Sequence, residues 1–391
     1  MNLFDAKVSC MKNNVRDMSL MDVGDDNIVL FHPHVPESAV SLVQQTLTTR
    51  WIGQGPKVDD FEQKFGARFG EGRTAIAVGS GTDALHLSYI LAGIEAGDEV
   101  ITPVFTCAAT NIPLLYQKAE IKFADVQPGT LNIDPAHVKE LISDRTKAIV
   151  CVHYGGLPCD LDELADIAAE RGIPIIEDAA HALGGTYKGK QVGAISEYSM
   201  FSFQAIKQLT TGDGGMLILK DASQAEKARR IRWFGIDRVA KQMGNWDNDI
   251  TEIGYKYQMN DIAAAMGLSA LAEFDEILAL RQKLFKRYSE RLQDTPGLRI
   301  VGDGYSDRGH AAWIFTVIVE DRPGLQSKLR SHRIESNQVH YRNDRYTVFG
   351  GRRNNLPNMD AVENKYLVLP LHTKISIEQV DRICDVIRSG W

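Results

Sequence analysis

Between residues 72 and 220 the chain switches repeatedly between two hydrophobic periods, and that alternation restricts it to one class of fold. Short β-rich runs recur at 75–78, 99–104, 121–124, 148–153, 173–177, 199–203 and 216–219. Helical patterns over 82–92, 134–142 and 160–171 lie between them. The last two open on Asp134 and Asp160, acidic residues that suit the positive end of a helix. Strands alternating with helices predict an α/β fold with a doubly wound, mostly parallel seven-stranded sheet. Residues 28–260 therefore read as one large domain, preceded by an extension over 1–27.

Beyond it, Ile262, Met266, Leu268, Leu271, Phe274, Ile277 and Leu278 keep to one helical face, which predicts a long connecting helix over 261–294. After Pro296 a strand (312–319), a helix (325–332), a strand (338–341) and a terminal helix (377–389) suggest a smaller C-terminal α+β lobe, 295–391. Such a chain of 391 residues has ample core for two lobes. With 44 Lys and Arg against 51 Asp and Glu its net charge is -7, which gives no electrostatic footprint for nucleic acid or an anionic membrane. No run of about 18 apolar residues appears, and no signal-peptide core precedes the domain. The five cysteines, Cys10, Cys107, Cys151, Cys159 and Cys384, are scattered without a CxxC pair, so neither a disulfide framework nor a metal site is expected, and a cytoplasmic setting fits.

Three stretches carry chemistry. In Val78-Gly79-Ser80-Gly81-Thr82-Asp83 a strand ends in small residues and a helix begins, so free N–H groups and the helix dipole make a phosphate site, with Thr82 either an added donor or merely a cap. In Ile175-Ile176-Glu177-Asp178-Ala179-Ala180-His181 a hydrophobic strand delivers Asp178 at its carboxyl edge, placed for a protonated ring nitrogen or for a helix cap. In Ser202-Phe203-Gln204-Ala205-Ile206-Lys207 a lysine follows a strand and precedes the turn Thr211-Gly212-Asp213-Gly214-Gly215, whose glycines let backbone approach a ligand. An isolated lysine is ordinarily a solvated charge. In this order, however, the three stretches supply what pyridoxal 5'-phosphate (PLP) requires: a phosphate cradle, a carboxylate for the pyridine nitrogen and a Schiff-base lysine.

That order resembles the fold type I PLP enzymes, and over about residues 31–387 the chain is similar to the DegT/DnrJ/StrS family of sugar aminotransferases. The similarity rests on Gly53-Gln54-Gly55-Pro56, Ser80-Gly81-Thr82, Gly97-Asp98-Glu99-Val100, Glu177-Asp178-Ala179-Ala180-His181, Ser202-Phe203 with Lys207, Gly235-Ile236-Asp237-Arg238, Gly254-Tyr255 and Leu369-Pro370-Leu371-His372. The resemblance implies that Gly81, Thr82 and Ser202 hold the phosphate, Asp178 the ring nitrogen, His181 the ring face or its 3-hydroxyl side, and Lys207 the covalent bond and catalysis. It also implies a homodimer with shared active sites, for which Lys256, Gln258 and Asn260 are cross-subunit candidates, and a substrate pocket near Gly53, Gln54, His340, Tyr341 and His372. Relatives carry an aromatic residue where Cys107 stands, and Phe105 would replace it only in another strand register. Members that exchange the lysine for histidine are sugar dehydratases; this chain keeps Lys207. The implied reaction moves an amino group from an amino acid such as L-glutamate, through the pyridoxamine form of the cofactor, to a nucleotide-linked 3- or 4-keto-6-deoxy sugar. A dehydratase, a keto-cyclitol aminotransferase and a noncatalytic sensing protein are the alternatives, and the helix 227–232, rich in Lys and Arg, is either a diphosphate contact or a solvated face.

Overall fold

The computed structural model describes residues 26–247 and 249–391, so nearly all of the expected N-terminal extension lies outside the described residues. All seven β-rich runs become strands of one sheet: Thr74–Val78 (β1), Glu99–Pro103 (β2), Glu120–Ala124 (β3), Thr146–Val152 (β4), Ile175–Asp178 (β5), Tyr198–Ser202 (β6) and Gly215–Leu219 (β7). Their order is β1-β7-β6-β5-β4-β2-β3. Pairings among β2 to β6 are parallel, and β7 alone runs antiparallel to its neighbours β6 and β1. Burial on both faces explains the unbroken apolar runs, since β2 and β7 are buried at every residue.

Helix Pro56–Phe69, absent from the sequence expectations although Val58, Phe61, Phe65 and Phe69 keep a helical spacing, seals one face. Phe61 and Phe65 are inaccessible and pack on Phe203, with Phe65 also edge-on to Phe201. Truncating Phe65 to alanine is expected to cost about 3–5 kcal/mol, measurable by denaturant unfolding. The connecting helix is not continuous. It breaks at Glu273 (φ -100°, ψ 6°) into Asp261–Ala272, which packs on Pro56–Phe69, and Phe274–Leu292, which packs on the terminal helix Ile377–Arg388. Each half serves a different core, so a single straight axis would bury only one of them.

The C-terminal lobe is an antiparallel sheet of Leu298–Ile300, Phe315–Val319 and Tyr366–Leu369 under helices Arg322–Ser331 and Ile377–Arg388. Two sequence expectations differ here. The strand begins at Phe315 because Ala312 has φ 50°, a left-handed conformation that a strand does not admit. The run 338–341 does not join this sheet: Tyr341–Arg342 pairs instead with Phe105–Thr106 of the large domain, a tie across the lobes.

Candidate active site

The carboxyl ends of the parallel strands border a cavity of about 740 Å³, where ligands bind in open α/β sheets. β1 ends at Val78, and the chain turns into helix Gly81–Leu91 with Ser80 Oγ accepting the Asp83 N–H at 3.0 Å. The N–H groups of Gly81 and Thr82 open that helix with no carbonyl a turn behind them, which makes the turn an acceptor of anions. Only glycine fits at 81, because a Cβ would lie 2.9 Å from Ser202 Cβ and 3.2 Å from Met200 Sδ. Gly81→Ala is accordingly expected to push the turn off Ser202 and weaken cofactor retention at least about tenfold, read by equilibrium titration of the apo-protein. The glycine turn after Lys207 makes two close approaches. Gly215 lets β7 pass under the phosphate turn, where a Cβ would meet Ser80 O at 2.4 Å, while Gly214 reaches the cavity wall.

Asp178 closes β5. Its Oδ2 accepts the Thr110 hydroxyl at 2.7 Å and its Oδ1 the Ala180 N–H at 3.1 Å. Burial raises its pKa, while these two bonds and the Lys207 charge pull it down. Lys207 ends a turn closed by its N–H on Gln204 O at 2.9 Å, and its Nζ lies 3.7 Å from the centroid of the Trp313 ring. Burial lowers the ammonium to about 8, with Asp178 opposing. Acylation of Lys207 by an amine-selective reagent, followed by mass spectrometry on apo-protein, should therefore rise about tenfold from pH 7 to pH 9 and then level off. An exposed lysine would keep climbing toward pH 10; that behaviour at Lys207 would contradict its desolvation.

His181 stacks on Trp313, centroids 3.8 Å apart, and its Nε2 meets His340 Nε2 at 3.1 Å. Burial, then the charge of Lys207, holds both imidazoles well below their ordinary pKa, His340 at about 3, so the pair is neutral with one proton between the facing nitrogens. His181 Nδ1 is buried without a partner among the described residues. Trp313 was missed by sequence reasoning, which saw only a strand there. The left-handed Ala312 and the buried guanidinium of Arg281, whose Nη1 donates to Ala312 O and Trp313 O, turn the indole into the cavity. Thr110 was missed too, because nothing local marks it.

Gly81, Thr82, Cys107, Asp178, His181, Ser202, Lys207 and His340 all line the cavity. Cys107 is exposed in it, whereas Phe105 is buried against Tyr154 and Tyr366, so the alternative register is corrected. Gly53, Gln54, Gln258, Asn260, Tyr341 and His372 do not line it. His372 is buried with Nε2 on Val29 O at 3.0 Å, and Asn260 caps helix Asp261–Ala272. Gln258 bridges to Val78, leaving its Oε1, like that of Gln54, buried without a partner among the described residues. In the basic helix Arg230 and Arg232 are paired with Glu252 and Glu62. On the sheet face opposite Asp178, the ligand-type atoms of Cys151, His153 and Cys159 converge within 4.8 Å. His153 is committed at both nitrogens, Nε2 on Glu177 at 2.8 Å and Nδ1 accepting the Cys159 N–H at 3.0 Å, so the cluster knits β4 to β5.

A pyridine ring with a phosphate and a phenolic oxygen fits this donor set: a glycine-only turn for the anion, a buried carboxylate, an unpartnered imidazole nitrogen and a desolvated amine. The pattern of the DegT/DnrJ/EryC1/StrS aminotransferase family matches residues 34–388. The chain belongs to that family. Family members use PLP, and the fold is that of the fold type I PLP enzymes. The spore coat polysaccharide biosynthesis protein SpsC of Bacillus subtilis is 34% identical over 372 residues, 91% of this chain and 95% of SpsC. The sugar aminotransferase CalS13 of Micromonospora echinospora superposes with a TM-score of 0.88 at 33% identity, covering 93% of this chain and all of CalS13. Spr1654 of Streptococcus pneumoniae matches in its PMP form with a TM-score of 0.88 at 28% identity over 93% of this chain and 98% of its own. The family member described here is thus a PLP-dependent aminotransferase.

Proposed function

We propose that the protein transfers an amino group from an amino acid, L-glutamate first among candidates, to a nucleotide-linked 3- or 4-keto-6-deoxy sugar in amino-sugar biosynthesis. The carrying observation is Lys207. It is desolvated at the cavity wall beside Asp178, and among the described residues lining the cavity it is the single lysine or arginine. Similarity to CalS13 and SpsC supports a sugar as acceptor.

In this reading the Gly81 and Thr82 N–H groups and Ser202 hold the phosphate, Asp178 holds the pyridine nitrogen, and His181 Nδ1 meets the ring oxygen. Bound there, PLP supplies an electron sink that makes the proton beside a substrate nitrogen removable. Lys207 takes that proton from the donor's α-carbon and returns one to the acceptor carbon, a task for which an amine titrating near 8 is matched. Trp313 fixes the side chain's position from the other lobe and excludes water. Gln258, Asn260, Gly53 and Gln54, which lie outside this cavity, serve a partner copy's site in a homodimer; the unpartnered Gln54 and Gln258 carbonyls support this.

Incubating loaded protein with L-glutamate and dTDP-, GDP- or UDP-linked 4-keto-6-deoxy sugars should yield 2-oxoglutarate and amino sugar in equal amounts, quantified by mass spectrometry. A deoxygenated sugar in place of an amino sugar would establish the dehydratase instead. Failure of every amino donor to bleach the visible absorbance would favour a sensing protein.

A further inference from the structure

Part of the cavity wall is built from residues 29–31, Glu335 and residues 337–340. The two segments are held together by backbone bonds, Ile28 N–H to Arg333 O at 2.9 Å and Glu335 N–H to Ile28 O at 2.8 Å. Glu335 Oε2 accepts the Leu30 N–H at 2.7 Å, which fixes the carboxylate. Its Oε1 is shut from solvent and has no hydrogen-bond partner among the described residues. Glu335 also borders an adjoining cavity of about 450 Å³, so the residue stands between the two.

A buried carboxylate oxygen without a donor is costly, and a carboxylate only accepts. Glu335 lines the cavity, so a group entering there can supply the missing donor once the side chain turns its covered Oε1 outward. The two carboxylates of a glutamate donor have no hydrogen to give and would be repelled. Its ammonium is the group consumed at Lys207. A keto sugar, by contrast, carries ring hydroxyls. We infer that Glu335 is a specificity-determining residue that accepts a hydrogen bond from a ring hydroxyl of the acceptor sugar. The inference rests on the sugar aminotransferase reading above.

Glu335→Gln tests it, because the amide keeps an oxygen for the Leu30 N–H but turns a donor toward the cavity. With the 4-keto-6-deoxy sugar that the unaltered enzyme aminates among its UDP-, GDP- and dTDP-linked forms, kcat/KM should fall about tenfold to a hundredfold, chiefly through KM. The rate at which L-glutamate bleaches the visible absorbance should stay within about twofold of the unaltered enzyme, a split that general structural damage would not produce. Glu335→Asp, with the carboxylate drawn back by one methylene, should show the same split and serves if the glutamine variant does not fold. Sugar analogues lacking one ring hydroxyl should lose rate on the unaltered enzyme, and for one position nothing further on Glu335→Gln. Sugar kinetics within about twofold in both variants, or an equal fall in the glutamate half-reaction, would overturn the role of Glu335 while leaving the aminotransferase reading in place. An unaltered enzyme that reacts with glutamate but aminates no sugar would overturn both.

Discussion

Lys207→Ala is expected to lower amine transfer by about a thousandfold or more and to leave the fold intact. In the proposed reaction the side chain supplies both the attachment point for the cofactor and the base and acid that move a proton between two carbons. No other lysine or arginine among the described residues lines the cavity to replace it. Its loss should not destabilise the protein. An ammonium lowered to about 8 by burial is one that folding disfavours below that pH. Between about pH 8 and pH 10 the unfolded chain binds the extra proton, so Lys207 makes folding more favourable as pH rises through that window. Below it, alanine should hold or raise the melting temperature of the apo-protein. Calorimetry on apo-protein and a coupled assay of 2-oxoglutarate release measure the two effects. Transfer at the unaltered rate would remove Lys207 from the mechanism.

Asp178→Asn should cost about a thousandfold in transfer rate while the phosphate turn still retains the cofactor. An amide cannot stabilise a protonated ring nitrogen, and without that proton the ring is a poor electron sink. The substitution is nearly isosteric, and the remaining oxygen can still accept from Thr110 or Ala180, so packing should survive. Linkage gives a second readout. Burial raises the folded pKa of Asp178 above its ordinary value, so its contribution to apo-protein stability is present at low pH and is lost as pH rises through the raised pKa. The Asp178→Asn variant should lose that pH dependence. Rates within about tenfold of the unaltered enzyme would exclude the ring-nitrogen role.

Much of this site was legible because its residues sit at chain punctuation. Gly81 and Thr82 follow the end of β1, Asp178 ends β5, and Ser202 ends β6; the strand order then brings those carboxyl ends together. Lys207 was legible only in the company of the other two stretches. The strand Tyr366–Leu369 escaped because a four-residue apolar run carries no period, whereas helix Pro56–Phe69, absent from the sequence expectations, does carry one in Val58, Phe61, Phe65 and Phe69.

The sequence by itself determined the seven-stranded α/β framework, the glycine-rich strand-to-helix turn at 79–82 and the order of Asp178 and Lys207, because these depend on local period and turn chemistry. Tertiary structure alone decided what surrounds them. Thr110, Trp313 and Glu335 come from segments far along the chain from Asp178 and Lys207. Thr110 meets Asp178 through a hydroxyl bond at 2.7 Å, while Trp313 and Glu335 reach the cavity through a left-handed Ala312 braced by Arg281 and the pairing of residues 28–30 with 333–335. Such contacts are fixed by packing between segments distant in sequence, which leaves no periodic trace in either segment.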